Sequence, residues 1–373
     1  MRIAPAERLS ARVKGVRDTL SARHLDGLVV TSLPNIAYLT GFFASAGALV
    51  LTREDVVLVG DSRYGESLAA RARECPFIRP VQLPPGASYE QELADVLGPF
   101  RGAKMGFEPN HLTVSRHRSL VKGLEQSDWD VPLVGCDGIV EQHRTHKDAW
   151  ELAVLRDGGA RLSDVAKRIL SDALAGRTES EVAAEIEWQL RRAGFERPAF
   201  DTIVAAGPNA ALPHGRAGQR RIERGDLVVL DFGGVLDGYC TDLSRTVAAR
   251  PAGSRERQLI EHVVEAQAAA FAVVKPGTAP ESVDEAARRT LAAHGMADAF
   301  THGTGHGLGL EVHEAPRISR VRTGHAEPPL GPGMVLTLEP GAYFPGWGGV
   351  RIEDDVLVTN DGAEWLTDAP KVP

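Results

Sequence analysis

Cysteine is scarce in this chain of 373 residues, which has three copies, at Cys75, Cys136 and Cys240. Three widely spaced cysteines form neither a disulfide framework nor a thiolate metal site, and we expect each to be a small buried hydrophobe. Long apolar runs are absent as well, since no run approaches the ~18 residues of a bilayer-spanning helix. Residues 1–20 contain no apolar segment of a secretory signal. These absences predict a cytoplasmic protein without a membrane span.

Basic clusters are also missing from the sequence. The formal net charge is −8, from 42 Lys and Arg against 50 Asp and Glu. An acidic chain without a Lys/Arg block is a poor ligand for nucleic acids and anionic membranes. No internal repeat or low-complexity segment is present, which excludes solenoid architectures. The remaining composition, 43% hydrophobic and 25% charged, is ordinary for a globular protein.

The length exceeds what one hydrophobic core usually supports, so we expect two domains. The chain begins with a helical pattern over 6–24 and a buried strand over 27–31, and short strands and helices continue to alternate after them. This alternation predicts an α/β domain over residues 1–142. In residues 148–373 strands and helices occur in separate runs, which predicts an α+β domain with a mostly antiparallel sheet.

A glycine pair, Gly158-Gly159, interrupts the long helical pattern that begins the second domain. Glycine weakens a helix interior by about 1 kcal/mol relative to alanine. The pair therefore indicates either a kink or a strained close contact, and the pattern leaves both alternatives open.

Two aspartates flank a predicted hairpin in the second domain. Asp237-Gly238 is a strong signal for a two-residue turn, and a turn there pairs Asp231 with Ser244. Because side chains alternate faces along a strand, Asp242 then shares a face with Asp231, about 7–8 Å away at the backbone. Asp231 follows an apolar strand, so burial is expected, and two uncompensated carboxylates would repel each other. A bound cation is favoured over a solvated pair.

Glu339 and Glu353 form a second carboxylate pair. Glu339 ends an apolar strand and precedes the turn signal Pro340-Gly341. Glu353 shares a strand face with Arg351 by the same alternation. A surface ladder of Arg and Glu would explain this pair equally well.

Histidine is concentrated in one glycine-rich segment, residues 301–314. Three of the 12 histidines lie there, at His302, His306 and His313, among four glycines. The glycines disfavour a helix, and they indicate an irregular segment whose backbone can approach another group closely. A glycine-rich turn with solvated histidines is the alternative interpretation.

Together these motifs supply four carboxylates and one imidazole, a hard ligand set: Asp231, Asp242, His306, Glu339 and Glu353. Such a set can hold two divalent ions about 3.5–4 Å apart, as hydrolases do. Two cations bridged by one water lower its pKa toward ~7 and polarise the carbonyl under attack. A nearby carboxylate can accept the water's proton and pass it to the leaving amine.

Five motifs in order resemble the pita-bread metallopeptidases: DFGG (231–234), TDLSRT (241–246), HGTGHGLGLEVHE (302–314), TLEPG (337–341) and GGVRIED (348–354). The resemblance is to the proline-specific branch, the Xaa-Pro dipeptidases (prolidases) and aminopeptidase P. Residues 35–41 and 61–64 resemble the creatinase-type N-terminal domain of that branch. The resemblance implies an α+β pita-bread (creatinase/aminopeptidase) catalytic domain preceded by a creatinase-type α/β domain. It also implies a homodimer that acts on small proline-containing peptides.

The resemblance further implies a role for each ligand residue. Asp231 would bind one metal ion, and Asp242 and Glu353 would bridge both. His306 and Glu339 would complete one shell each, and Glu339 would also be the general base. The oxygen-rich set favours Mn²⁺, with Zn²⁺, Co²⁺ or Fe²⁺ as alternatives.

Substrate contacts are implied in the same way. His313 would hydrogen-bond the substrate carbonyl and its oxyanion, and His214 would line the far side of the cleft. His302 and Arg351 would lie around the proline pocket. A turn-capping role for His214 and a structural pairing of Arg351 with Glu353 are the alternatives.

Two positions bear on questions that the motifs leave open. The family carries one Asp and then a small or apolar residue where this chain has Asp354-Asp355, and the sequence leaves open whether Asp355 faces solvent. A dipeptidase must bind the free carboxylate of proline, for which Arg is the natural bidentate donor. Arg317 occupies the position where prolidases use Arg, which favours a dipeptidase over an aminopeptidase acting on longer peptides. Arg320 and Arg322 are further candidates.

Three other proteins of this scaffold are alternatives. Methionine aminopeptidases normally lack an N-terminal domain like that predicted for residues 1–142. Creatine amidinohydrolase works without this ligand set, and a non-catalytic binding protein of this fold typically loses ligands. All five positions here carry metal-binding residue types, which favours the dinuclear hydrolase.

Overall fold

A computed structural model describes residues 1–171, 174–249, 253–320 and 327–371. The chain divides into two compact units, one formed by Arg2–Arg144 and the other by the chain from Thr145 onward together with Met1. Within the described ranges, no helix is long and apolar enough to cross a membrane.

The first unit is built around one six-stranded sheet. Its strands are β1 (Gly27–Val30), β2 (Ala48–Thr52), β3 (Val56–Gly60), β4 (Arg79–Gln82), β5 (Met105–Phe107) and β6 (Leu133–Gly135). Their order across the sheet is β4-β3-β2-β1-β5-β6. The neighbours β1/β2 and β2/β3 are antiparallel, and the other pairs are parallel.

Six helices accompany this sheet: α1 (Ala6–Ala22), α2 (Leu33–Thr40), α3 (Gly65–Glu74), α4 (Tyr89–Leu97), α5 (Val114–Gln126) and α6 (Glu141–Arg144). Apolar side chains of the strands pack with those of α4 and α5 in a buried core. The mixed sheet with interspersed helices confirms the predicted α/β class for this part of the chain.

The described part of the second unit contains four long helices: α7 (Ala149–Ser171), α8 (Glu179–Arg192), α9 (Ser254–Val273) and α10 (Pro280–Ala293). Local sequence explains the start of α8, where the Thr178 side chain accepts from the Glu181 N–H and the Glu181 carboxylate accepts from the Thr178 N–H. Helices α9 and α10 contribute to one buried core with strands of the second unit, and α7 and α8 contribute to another.

Its strands are short: β7 (Arg197–Pro198), β8 (Ile203–Ala206), β9 (Leu227–Phe232), β10 (Gly234–Leu236), β11 (Tyr239–Cys240), β12 (Leu243–Ala248), β13 (Gly305–Gly307), β14 (Glu314–Ile318), β15 (Val335–Leu338), β16 (Gly341–Phe344), β17 (Gly348–Arg351), β18 (Asp354–Val358) and β19 (Ala363–Trp365). They form sheets of order β11-β10-β7, β12-β9-β8, β14-β13-β15-β18-β19 and β16-β17. All recorded pairs are antiparallel, which confirms the predicted sheet type.

The predicted hairpin is present with the predicted register. Asp237 and Gly238 both have positive φ, 47° and 83°, as a type I′ turn requires. Asp231 pairs with Ser244 across β9 and β12. The turn at Asp237-Gly238 therefore determines the strand register as far along the hairpin as the Asp231–Ser244 pair.

Gly158-Gly159 marks a close contact inside an unbroken helix. α7 runs through both glycines. A Cβ on Gly158 would lie 2.8 Å from Thr241 Cγ2, and a Cβ on Gly159 would lie 2.2 Å from the Leu366 carbonyl oxygen. Of the two alternatives left open by the sequence, the close contact is therefore present.

We predict that Gly159→Ala lowers the thermal unfolding midpoint, although alanine is the better helix former. Overpacking against the Leu366 carbonyl costs about 1–3 kcal/mol, whereas helix propensity gains only about 1 kcal/mol. Ala160→Gly, on the exposed face one residue on, is the control that measures the local propensity difference. If Gly159→Ala raises the midpoint by the amount that Ala160→Gly lowers it, packing at this position is unimportant.

Candidate metal centre

The five predicted ligands lie on strands or strand ends of the second unit: Asp231 on β9, Asp242 between β11 and β12, His306 on β13, Glu339 directly after β15, and Glu353 between β17 and β18. Asp242, His306 and Glu353 each offer one ligand atom, and these three atoms lie within 4.8 Å of one another. His306 Nε2 is 3.7 Å from Glu339 Oε1. Asp231 is near enough for its charge to act on the other three carboxylates. The fold thus brings together residues that are more than 120 positions apart in the chain.

The carboxylates of this group are buried and incompletely hydrogen-bonded. Asp231, Asp242 and Glu353 expose 8%, 4% and 2% of their surface, and Glu339 keeps 20% of its side chain accessible. Oδ1 of Asp231 and Oδ1 of Asp242 are buried and have no hydrogen-bond partner among the described residues. Buried acceptors of this kind are costly unless a donor or a cation satisfies them. The oxygen-rich donor set therefore fits hard divalent ions.

The pKa values of these carboxylates also indicate that the group fits divalent ions. Burial, followed by the charges of Glu353 and Asp231, raises the pKa of Asp242 well above its ordinary value. Burial is also the main cause that raises the pKa of Glu339 to about 8. Like charges confined in a low-dielectric site take up protons unless positive charge compensates them. Bound cations would supply that charge and keep the carboxylates ionised.

His306 is held as a neutral imidazole with one free lone pair. Burial lowers its pKa to about 4. Nδ1 lies 3.0 Å from the Gly307 carbonyl oxygen, which only accepts, so Nδ1 carries the hydrogen and Nε2 offers the lone pair. The flanking glycines permit the close approach, because a Cβ on Gly305 would lie 1.9 Å from the Thr337 carbonyl oxygen. This explains why glycine surrounds the histidine in the sequence.

Arg351 is buried and engaged by protein groups around the carboxylates. Its Nη2 donates to Asp231 Oδ2 at 2.5 Å, and its Nε donates to Ser244 Oγ at 3.0 Å. Nη1 donates to the Tyr343 hydroxyl at 3.0 Å and to the Pro213 carbonyl oxygen at 3.2 Å. A structural pairing with Glu353 is one alternative that the sequence offers, and the carboxylate that Arg351 contacts directly is Asp231.

Tyr343 links Arg351 to His302, and sequence reasoning missed it. His302 Nδ1 donates to the Gly303 carbonyl oxygen at 2.8 Å, so Nε2 accepts from the Tyr343 hydroxyl at 2.8 Å. His302 is itself half-buried, and burial lowers its pKa to about 4. Tyr343 stands four residues after Glu339 with no charge or motif spacing to mark it, so the sequence carried no signal for this link.

The remaining predicted substrate residues, His214, His313 and Arg317, are exposed. His313 lies with its ring centroid 4.3 Å from that of His306, at 68°. Burial, and then the nearby charge of His214, lowers the pKa of His313. Arg317 pairs with His306 across β13 and β14, so the two side chains point to the same face of the ladder.

The Arg317 side chain is exposed, and it has no hydrogen bond or ion pair with the part of the chain that the structure describes. Arg320 is also exposed, and Arg322 lies outside the described residues. Arg317 is thus available to a ligand that reaches the face carrying His306.

Comparison with known proteins identifies the scaffold. Residues 153–360 match the model of metallopeptidase family M24, and residues 12–146 match the creatinase/prolidase N-terminal domain. The uncharacterized peptidase YqhT of Bacillus subtilis is 37% identical, covering 96% of this chain and 98% of that protein. A protein named Xaa-Pro dipeptidase of Pyrococcus horikoshii is 32% identical, covering 96% and 97%.

The chain belongs to metallopeptidase family M24. Solved structures of similar proteins agree: Xaa-Pro dipeptidase from Bacillus anthracis has a TM-score of 0.89 at 32% identity, covering 97% of this chain and 98% of that chain. An X-Pro aminopeptidase from Thermotoga maritima has a TM-score of 0.83 at 30% identity, covering 96% and 98%. The predicted family, the creatinase-type domain followed by a pita-bread domain, and the peptidase class are confirmed.

Membership of this metallopeptidase family implies divalent metal ions. The buried carboxylates with unpartnered oxygens and the free lone pair of His306 are the chemistry that such ions require. The identity of the metal and the assignment of each ligand stay predictions.

Asp355, the departure from the family pattern, is buried in this peptidase. It is 1% exposed, and its Oδ2 accepts from the Asp242 N–H at 3.2 Å. Its neighbour Asp354 instead pairs with Arg245 Nη2 at 2.7 Å and Lys371 Nζ at 2.9 Å. The additional charge therefore lies behind a predicted ligand and supports its backbone, and it does not face solvent.

We predict that the free energy of unfolding of the metal-free protein falls as the pH rises from 6.5 to 8. The raised pKa of Glu339, about 8, contributes stability that is complete below its unfolded value of 4.5 and lost as the pH rises through 8. The lowered pKa values of His302 and His306, about 4, act in the opposite sense, and this effect fades as the pH rises past the unfolded value of 6.5. Above pH 6.5 the carboxylate effect therefore exceeds the histidine effect.

Thermal unfolding of chelator-treated protein across this interval measures the effect. Addition of Mn²⁺ should remove the decline, because bound ions hold the carboxylates ionised and bind more tightly as the pH rises. Glu339→Gln should reduce the metal-free decline, and the other buried carboxylates with raised pKa values account for what remains. A metal-free midpoint that rises from pH 6.5 to 8 would contradict the prediction.

Proposed function

We propose that this M24 peptidase is an Xaa-Pro dipeptidase that hydrolyses the imide bond before a C-terminal proline. The observation that carries the proposal is the buried carboxylate group beside the free lone pair of His306, with its unpartnered oxygens. Relatives and solved structures that bear the names Xaa-Pro dipeptidase and prolidase along nearly the whole chain support the substrate class.

The site would hold two divalent ions, and Mn²⁺ suits its oxygen-rich donors. The ligands would be Asp231, Asp242, His306, Glu339 and Glu353. Bound ions of this kind lower the pKa of water and polarise the carbonyl under attack. A homodimer and a cytoplasmic location stay predictions from the resemblance and the composition.

The protein's own groups would carry the proton transfers. Glu339 is the most accessible of the four carboxylates, so it would take the proton of the attacking water and deliver it to the proline nitrogen. His313 would donate a hydrogen bond to the substrate carbonyl, where negative charge develops. His214 would line the opposite side of the cleft, and His302 with Arg351 would border the proline ring.

A second candidate is an Xaa-Pro aminopeptidase acting on longer peptides. The X-Pro aminopeptidase of Thermotoga maritima supports it, since its structure is nearly as similar as those of the dipeptidases. Arg317 favours the dipeptidase, because an exposed Arg on the face of His306 suits the free carboxylate of a dipeptide.

We predict that His313→Ala lowers kcat for a dipeptide such as Ala-Pro by about 10²–10³-fold, the usual cost of losing one oxyanion donor. Bound metal, measured by elemental analysis, should stay at the wild-type level because His313 is not among the proposed ligands. His294→Ala, which removes an exposed histidine bonded to Glu265 on the surface, is the matched control. A kcat within threefold of wild type for His313→Ala would sink the proposed role.

We predict that Ala-Pro and Gly-Pro are hydrolysed faster than Xaa-Pro tripeptides. Arg317→Ala should raise KM for the dipeptides by at least about tenfold, the value of one charge-assisted hydrogen bond, and change the tripeptide KM far less. Arg289→Ala, at an exposed arginine of α10, serves as the control for loss of a positive charge. Preference for tripeptides, or equal effects of Arg317→Ala on both substrates, would favour the aminopeptidase.

A further inference from the structure

A buried serine connects two of the proposed ligand segments. Ser244 on β12 is fully buried, at 0% exposure, and stands opposite Asp231 in the ladder with β9. Its Oγ lies 2.8 Å from Glu353 Oε2 and 3.0 Å from Arg351 Nε. Arg351 in turn donates to Asp231. One hydroxyl is therefore bonded to one proposed ligand and is linked through a guanidinium to another.

The direction of each hydrogen bond follows from the chemistry of the partners. A guanidinium only donates, so the Arg351 Nε–H points to the Ser244 oxygen. A serine hydroxyl has a single hydrogen, and the partner left for it is Glu353 Oε2. Glu353 therefore accepts at Oε2, and that oxygen carries no proton. The other carboxylate oxygen of Glu353 is available to a cation.

The backbone around this contact is also fixed. Glu353 N–H donates to the Ser244 carbonyl oxygen at 3.0 Å. Arg245 Nη1 donates to the same oxygen at 2.9 Å and to the Glu353 carbonyl oxygen at 2.6 Å. With both backbones held, rotation of the Glu353 side chain is the freedom that remains, and the Ser244 hydroxyl restrains it.

We propose that Ser244 is a positioning residue of the metal centre, whose hydroxyl holds Oε2 of Glu353 and so orients the carboxylate that would bind metal. The inference rests on the proposed function, since it requires Glu353 to be a ligand. Groups that hydrogen-bond a ligand without touching the metal typically change metal affinity by about 10–100-fold when removed.

The test is isothermal titration of Mn²⁺ into the metal-free full chain. Wild type should bind two ions, and Ser244→Ala should lose about 10–100-fold in affinity for at least one of them. Ser163→Ala is the matched control. Ser163 is also buried, at 3% exposure, and its hydroxyl likewise bonds on both sides, to Gly159 O and Asp368 N at 2.7 Å each. It should bind Mn²⁺ as wild type does.

A second pair isolates the hydroxyl if Ser244→Ala fails to fold. Ser244→Thr and Ser244→Val add the same bulk, and they differ only by a hydroxyl in place of a methyl group. Ser244→Thr should bind Mn²⁺ more tightly than Ser244→Val by about tenfold or more. Thermal midpoints of the metal-free variants record any general loss of stability separately.

The outcomes separate this inference from the proposed function. Two ions bound by wild type and a weakened ion in Ser244→Ala, with Ser163→Ala unchanged, support the positioning role. Equal affinities for wild type and Ser244→Ala, or for the Thr and Val variants, overturn it while the metal centre stands. A wild-type chain that binds no Mn²⁺ overturns the metal centre itself.

Discussion

The burial of four carboxylates in one place is the constraint on which the catalytic domain depends. Such charges repel one another and lose hydration, so an arrangement without compensation would be protonated or would open. Arg351 neutralises the charge of Asp231 through a salt bridge. Among the described residues, one oxygen of Asp231 and one of Asp242 have no hydrogen-bond donor, so they are available to a cation. Membership of a metallopeptidase family fits this arrangement, because bound ions would supply the missing positive charge.

The surrounding structure holds these side chains against their mutual repulsion. The β9–β12 ladder sets Asp231 opposite Ser244, and Arg245 on β12 donates to the Glu353 carbonyl oxygen and to the Asp354 carboxylate. On the other side, Asp284 of α10 accepts from the N–H and the hydroxyl of Thr304, which lies two residues before His306. Contacts made by residues outside the proposed ligand set thus restrain the segments that carry Asp231, Glu353 and His306.

Much of the site was predictable, because its strongest signals are local. Asp237-Gly238 set the register that brings Asp231 and Asp242 to one strand face, and the structure has that register. The glycines around His306 indicated close backbone approach, which is present at Gly305. Arg351 was harder to interpret, since the sequence offered Glu353 as its neighbour on the strand and the fold placed Asp231 against it.

The sequence by itself determined the residue types, the hairpin register, the two-domain plan and the family. These features depend on turn residues, strand alternation and motif order, which can be identified from residues close together in the chain. Only the tertiary structure decided which side chains from separate motifs contact one another. Tyr343, Ser244 and Asp355 became part of the site when separate strands met. Such contacts join residues whose spacing in the chain carries no information about their distance, so no local pattern could have predicted them.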